Sequence, residues 1–354
     1  MKQQTPSNYN LCQSLKLKPD SEPVQIAPST LLPPSIDKPR LLSGESYAHF
    51  SSTPPEITTQ DASDPKSDYL VLGVDEAGRG PVLGPMVYSA FYLPSKLQHS
   101  LLAKEHSFDD SKVLTAGVRA SLMRILCTEG SQLHKSCGWA MKLLSARDIS
   151  SGMMRPAGSA GGVYNLNAQA MDATIELIRG VVEERKMNVR EVYIDTVGNP
   201  ASYQKKLEMV FPSLRITVAK KADSLYPCVS AASVVAKVTR DVALEVCYEA
   251  VKVIGEEAGE VVGDSWGSGY PSDSKCVGWL RSNMDPMFGW GNECRFSWGT
   301  AKEMLEVKGG EKVEWPVDED DTQLMDFLLA SQGTSKGPDQ ELREWFGKKT
   351  AEVL

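Results

Sequence analysis

A continuous apolar run, Tyr69 to Val74, ends in two adjacent carboxylates, Asp75 and Glu76, and passes at once into a glycine-flanked arginine, Gly78-Arg79-Gly80. No other stretch limits the fold as tightly. A run with no polar interruption suits a strand buried on both faces, and a second run, Met86 to Leu93, closes a hairpin with it through the intervening glycines. A strand covered on both sides needs helices to cover it, so an α/β arrangement is the expectation.

The rest of the middle of the chain agrees in pattern. Thr115 to Cys127 has helical spacing through Val118, Leu122, Ile125 and Leu126, and Cys137 to Leu144 reads as another strand. A longer helix fits Leu166 to Glu184, with Ala168, Met171, Ile175, Ile178 and Val182 predicted as its apolar stripe. Glu191 to Asp195 and Leu214 to Ala219 are short strands, and small and aliphatic residues predict a buried helix from Pro227 to Val251. No internal repeat is present.

The ends differ from the middle. Residues 1–68 hold 10 of the 21 prolines, show little apolar periodicity, and are expected to form a disordered extension. Residues 69–310 form the expected domain, and 311–354 an acidic, partly disordered tail containing Asp318-Glu-Asp-Asp321 and a short apolar face of Leu324, Phe327 and Leu328. The formal charge of −8 sits in those ends, leaving the domain neutral, so the acidic balance does not exclude a nucleic-acid partner. Seven scattered cysteines without a Cys-x-x-Cys pair read as reduced, mostly buried thiols, and four histidines lack metal-ligand spacing. No apolar run is long enough to span a membrane, and the N-terminus lacks the order of a signal peptide, so the protein is expected to be neither membrane-bound nor secreted.

The acids arrive at element ends: Asp75 and Glu76 after the first strand, Asp195 after a later one, and Asp223 before a helix. Any one of them alone is as well read as a turn residue or helix cap. Gathered together they repel one another unless a cation lies between them, and hard oxygen ligands select Mg²⁺ or Mn²⁺. Two such ions about 4 Å apart clamp the attacking and leaving oxygens of an in-line displacement at phosphorus. Such chemistry needs no histidine, cysteine or serine nucleophile. The Gly-Arg-Gly turn is where backbone can approach a ribose or phosphate closely.

Several segments together carry a family resemblance. Asp75-Glu-Ala-Gly-Arg-Gly80, Asp110-Ser-Lys112, Val192-Tyr-Ile-Asp-Thr-Val-Gly198, Lys220-Lys-Ala-Asp223 with Ser230-Ala-Ala-Ser233, and Gly267-Ser-Gly-Tyr-Pro-Ser-Asp273 resemble the ordered motifs of type 2 ribonuclease H. Arg295-Phe-Ser-Trp-Gly-Thr-Ala301 is similar to the catalytic A subunit of the heterotrimeric eukaryotic enzymes. The likeness runs from about residue 69 to 307.

What the resemblance implies is a ribonuclease H-like mixed β-sheet flanked by helices, with a C-terminal helical extension. Asp75, Glu76, Asp195 and Asp223 would hold two divalent ions, Mg²⁺ or Mn²⁺. The implied reaction is endonucleolytic hydrolysis of the RNA strand of RNA/DNA hybrids, and cutting 5′ of single ribonucleotides in duplex DNA, leaving 3′-hydroxyl and 5′-phosphate ends. That activity belongs to DNA replication, primer removal and ribonucleotide excision repair. Gly78, Arg79 and Gly80 would sense the 2′-hydroxyl through backbone groups, Tyr270 would read the RNA-to-DNA junction, and Lys112 would touch a phosphate. Taken alone, Tyr270 is better read as a Tyr-Pro turn packed on the core. Lys220, Lys221, Lys237 and Arg240 form a basic set near Asp223 that could line a groove or pair locally with Asp241. Accessory subunits of a heterotrimer and a nuclear location are also implied, with the cytoplasm as an additional compartment. Ile254 to Gly263 departs from the compact family pattern as an acidic insertion.

Two other classes compete. Gly78-x-Gly80-x-x-x-Gly84 imitates the loop of a dinucleotide-binding oxidoreductase, but Asp75 and Glu76 would lie beside the pyrophosphate and Pro81 would remove a donor amide. A catalytically silent nucleic-acid-binding or scaffold subunit on the same fold is the second, and the presence of all four acids speaks against it.

Overall fold

The computed structural model describes residues 32–58, 69–108, 114–155, 163–196, 198–257 and 265–307, all within one unit, Met1–Glu311; the second unit, Lys312–Leu354, lies outside them. In chain order the described elements are α1 (Lys38–Leu42), β1 (Tyr47–Phe50), α2 (Pro55–Thr58), β2 (Leu70–Ala77), β3 (Met86–Pro94), α3 (Ala116–Cys127), α4 (Gln132–Ser136), β4 (Gly138–Leu144), α5 (Ala146–Met153), α6 (Leu166–Arg179), β5 (Val189–Asp195), α7 (Pro200–Val210), β6 (Arg215–Ala219), α8 (Pro227–Glu257), α9 (Ser274–Ser282) and α10 (Gly299–Val307). Short 3-10 and π-helical turns occur between some of them.

The strands form one mixed sheet in the order β1-β4-β3-β2-β5-β6, with β2 at its centre. β2 pairs antiparallel with β3, as the hairpin pattern predicts, and parallel with β5, which pairs parallel with β6. Every residue of β2 except Glu76 is buried, in keeping with the unbroken apolar run. One face of the sheet packs Val71, Val87, Phe91, Trp139 and Met141 against the buried side of α8. The other packs Leu70, Leu72, Val74, Met86 and Tyr88 against α6 and α7. Fully burying each such apolar side chain contributes about 1.5–3 kcal/mol, so the two layers hold the sheet firmly.

Gly73 explains how α8 comes so close. A Cβ there would lie 2.3 Å from the carbonyl carbon of Cys228, so only glycine lets the helix start cross β2 two residues before Asp75. The opposite face is less simple. Of the predicted stripe, Ile178 lies on the buried face of α6 while Met171 and Ile175 form its flank, and that face runs through Gln169, Ala170, Ala173, Thr174, Leu177 and Ile178. Polar residues are buried here because they are satisfied: Gln169 donates to the carbonyls of Ile149 and Tyr164, and the Thr174 hydroxyl donates to Ala170 O.

The expectation of a disordered extension through residue 68 is corrected for residues 32–58. α1 carries a Pro at its start and an Asp37 cap, β1 pairs with β4, and Ile36, Leu41, Tyr47 and Ile57 enter the two cores. A few apolar residues spaced by prolines are enough when a sheet edge is waiting, a gain that periodicity does not register. Residues 1–31 and 59–68 lie outside the described residues. The proposed insertion at 254–263 is corrected in part, since α8 continues through Glu257. The predicted C-terminal helical part is α9 and α10, packed with Trp266, Trp279 and Trp290 around Val82 and Leu83. The six described cysteines are free thiols, and among the described residues no helix is long and apolar enough to cross a membrane.

Candidate active site

The acids come together because β2 and β5 run parallel in register. Val74 pairs with Ile194, so Asp75 and Asp195 follow side by side at the same ends of neighbouring strands. The alternation of a strand then divides the adjacent pair of carboxylates. Asp75 shares the parity of Val71 and faces the α8 layer, where Ser233 hydrogen-bonds its side chain. Glu76 shares the parity of Leu72 and Val74 and faces the α6 layer, beside Tyr88. Asp75 Oδ1 also accepts the backbone amide of Glu76 at 2.7 Å.

Asp223 enters by a different route. The chain turns after β6 through Lys221 in the left-handed region (φ 59°), and the 3-10 turn Ala222–Ser224 places Asp223 in a buried position. Asp195 Oδ1 accepts the Ala222 amide at 2.9 Å, which ties that turn to the end of β5.

The electrostatics of this group are unfavourable as it stands. Burial pushes Asp75 well above the usual carboxylate range, and the charges of Glu76 and Asp195 push it further. Glu76 is raised to about 7 by burial, with Arg79 opposing and Asp195 adding to the shift. The charge of Asp195 thus reaches both Asp75 and Glu76 from the neighbouring strand. Among the described residues, no three His, Cys, Asp or Glu side chains are grouped closely enough as they stand to hold a metal ion, and two carboxylate oxygens are engaged with backbone amides.

The Gly-Arg-Gly turn lies directly beyond. Gly78 has φ 79°, and a Cβ there would lie 2.7 Å from the Pro85 carbonyl oxygen. The Arg79 side chain turns inward, donating to Asn167 Oδ1 at 2.5 Å and to the Tyr88 hydroxyl at 3.4 Å, and so stands as a counter-charge near Glu76. The carbonyls of Gly78 and Arg79 accept from the guanidinium of Arg295, and that of Gly80 from the Trp298 indole.

Tyr270 does not pack into the core. It is 39 % exposed, and its ring edge would lie 3.0 Å from a Cβ on Gly80. The loop that carries it is tied to the first turn, since the Gly269 carbonyl accepts the amides of Val82 and Leu83. Arg240 reinforces the tie. Buried on α8, it donates to the Ser268 carbonyl at 2.6 Å and pairs with Asp241 at 3.2 Å, the local ion pair being one of the two readings its sequence left open. Lys220 and Lys221 are exposed and Lys237 is half-buried. Lys112 lies outside the described residues.

Ser233, Arg295 and Trp298 are the residues to which sequence reading gave no role. A charged residue inside Cys294-Arg-Phe-Ser-Trp298 was the available signal, because an arginine in an aromatic segment must find acceptors. Ser233 could be flagged only as a hydroxyl among the small residues of a buried helix.

Comparisons with known proteins bear on the family and the fold. The sequence profile described as Ribonuclease HII matches residues 72–301. The A subunit of ribonuclease H2 from Neurospora crassa is 56% identical over 92% of this chain and 96% of that protein, and its counterpart from Schizosaccharomyces pombe is 42% identical over 90% and 89%. The crystal structure of ribonuclease H2 from Pyrococcus horikoshii OT3 is 26% identical with a TM-score of 0.51, covering 67% of this chain and 97% of that one. On this profile match and these identities, the chain belongs to the ribonuclease HII family and has its ribonuclease H activity.

Proposed function

We propose that this chain cuts the RNA strand of RNA/DNA hybrids, and cuts on the 5′ side of single ribonucleotides in duplex DNA, leaving 3′-hydroxyl and 5′-phosphate ends. The observation that carries the reading is the placement of Asp75, Glu76 and Asp195 at neighbouring strand ends, where Asp75 is buried and the charge of Asp195 raises the proton affinity of both Asp75 and Glu76. Such a group is stabilised by cations, and its oxygen-only chemistry fits Mg²⁺ or Mn²⁺. Asp75, Glu76, Asp195 and Asp223 would hold two of them. When bound, such ions supply charge neutralisation and an activated water at phosphorus.

The remaining steps belong to the protein. Ser233 holds the Asp75 carboxyl in place from α8, and the Ala222 amide does the same for Asp195. Arg79 keeps Glu76 closer to its ionised form. The turn at 78–80 meets the ribose through its backbone, and the exposed Tyr270 ring beside Gly80 stacks on the following sugar. Lys112 contacts a backbone phosphate. The relatives are named as one lettered component of ribonuclease H2, which supports a requirement for accessory subunits, and duplex DNA as substrate supports action in the nucleus.

The test maps products. The full-length chain with its accessory subunits, given Mg²⁺ and a duplex containing one ribonucleotide, is expected to cut once, 5′ of that nucleotide. Asp195→Asn should reduce the rate by roughly 10³-fold or more, as loss of a charge-holding group in catalysis does. Scission on the 3′ side, or full activity in the variant, would refute the reading.

A further inference from the structure

Arg295 is the largest charged side chain to be wholly buried, at 0 % exposure, yet among the described residues no carboxylate pairs with it. Its partners are carbonyls: Nε donates to Gly84 at 3.0 Å, Nη1 to Arg79 at 3.0 Å and Nη2 to Gly78 at 2.6 Å. Burial and the charge of Arg240 lower its pKa to about 9, so the position opposes the cation that occupies it. Trp298 completes the contact. Its indole donates to the Gly80 carbonyl at 3.0 Å, and the Arg295 guanidinium lies 4.8 Å above its ring. The strap that carries both residues is fixed to the turn by Arg295 N to Val82 O (2.8 Å) and by the Leu83–Cys294 bridge.

The consequence follows from peptide geometry. In a trans peptide unit the carbonyl and the amide N–H point in opposite directions, and the described chain has no cis bonds. The Gly78 carbonyl shares its plane with the Arg79 amide, and the Arg79 carbonyl with the Gly80 amide. Arg295 draws both carbonyls to one side, so both N–H groups point to the other. Neither amide has a hydrogen-bond partner among the described residues. The Trp298 bond fixes the next peptide, where Pro81 has no N–H to present.

We propose that Arg295, supported by Trp298, is the positioning residue for ribose recognition, orienting the two peptide planes whose amides meet the 2′-hydroxyl. The proposal rests on the reading of residues 78–80 as the ribose-sensing turn. Arg295 does not touch substrate; it acts through the backbone. A lysine in its place keeps the charge but, as a single point donor, cannot hold three carbonyls.

The test is a ratio of affinities. Binding of the full-length chain, with its accessory subunits and in EDTA to prevent cleavage, is measured for a duplex with one ribonucleotide and for the same duplex made entirely of DNA. The parent is expected to prefer the ribonucleotide. Arg295→Lys should reduce that preference by roughly ten-fold, the scale of one charge-assisted hydrogen bond, and Trp298→Phe by roughly three-fold, with affinity for the all-DNA duplex little changed. Equal weakening of both duplexes would overturn the proposal, because a merely structural role moves both alike. No preference in the parent would instead remove the ribose-sensing reading and, with it, this role. Trp298→Phe keeps the ring and decides the matter alone if Arg295→Lys fails to fold.

Discussion

The two halves of the site are built by opposite means. In the acid half, Asp75, Glu76 and Asp195 sit on strand ends held by the sheet register, and burial and mutual repulsion leave them short of positive charge. In the loop half, residues 78–84 and 267–270 have no sheet to hold them, yet their carbonyls are taken up by Arg295, Arg240, Trp298 and neighbouring amides. A rigid scaffold can therefore carry an electrostatic deficit that a ligand relieves, whereas this loop gains its shape through donors that take up many of its carbonyls. What each half leaves unmet, carboxylate oxygens in one and amide donors in the other, is what it offers to a substrate. Arg79 links them, since its backbone belongs to the loop and its guanidinium acts on Glu76.

The largest effect that separates the halves is expected from Glu76→Gln. Cleavage of every substrate should fall by about 10³-fold, since the loss is of charge rather than of recognition. Stability should move the other way. Glu76 has its folded pKa raised to about 7, above the ordinary 4.5, so its contribution is fully present below 4.5 and is lost as pH rises through about 7. Glu76→Gln is then expected to stabilise the cation-free chain at pH 8 by roughly 2–3 kcal/mol and to flatten its melting temperature between pH 5 and pH 8. Thermal melts in EDTA across that range check this. A parent profile that rises toward pH 8 would contradict the acid half as described.

A smaller and opposite effect is expected in the loop half from Gly78→Ala. The φ of 79° and the 2.7 Å approach to Pro85 O leave no room for a Cβ, so stability should fall by about 1–3 kcal/mol at any pH. Denaturant unfolding measures it, and a neutral substitution would show that the turn relaxes without the clamp.

The acid half was far more legible in the sequence than the loop half. Asp75 and Asp195 each end a strand that apolar runs mark clearly, and a strand end is a position that sequence can specify. The edge β1 and the turn through Arg240 and Arg295 are long-range matters. Nothing near residue 295 in sequence says that its guanidinium will meet carbonyls some two hundred residues earlier. Periodicity also mislaid the buried face of α6, because Gln169 and Thr174 are hidden by partners that a hydropathy pattern does not contain. The start of the domain was set too late for a related reason: Tyr47 and Ile57 are isolated in sequence, and only the sheet edge and helix they meet make them core residues.

The division of labour is tested most directly by the cleavage rates of Asp75→Asn and Tyr270→Phe on a single-ribonucleotide duplex and on a long RNA/DNA hybrid. Asp75→Asn is expected to lose both activities by the same factor, roughly 10³ or more, while Tyr270→Phe loses several-fold more on the single ribonucleotide than on the hybrid. Near-parental rates in Asp75→Asn, or equal losses on both substrates in Tyr270→Phe, would contradict the account.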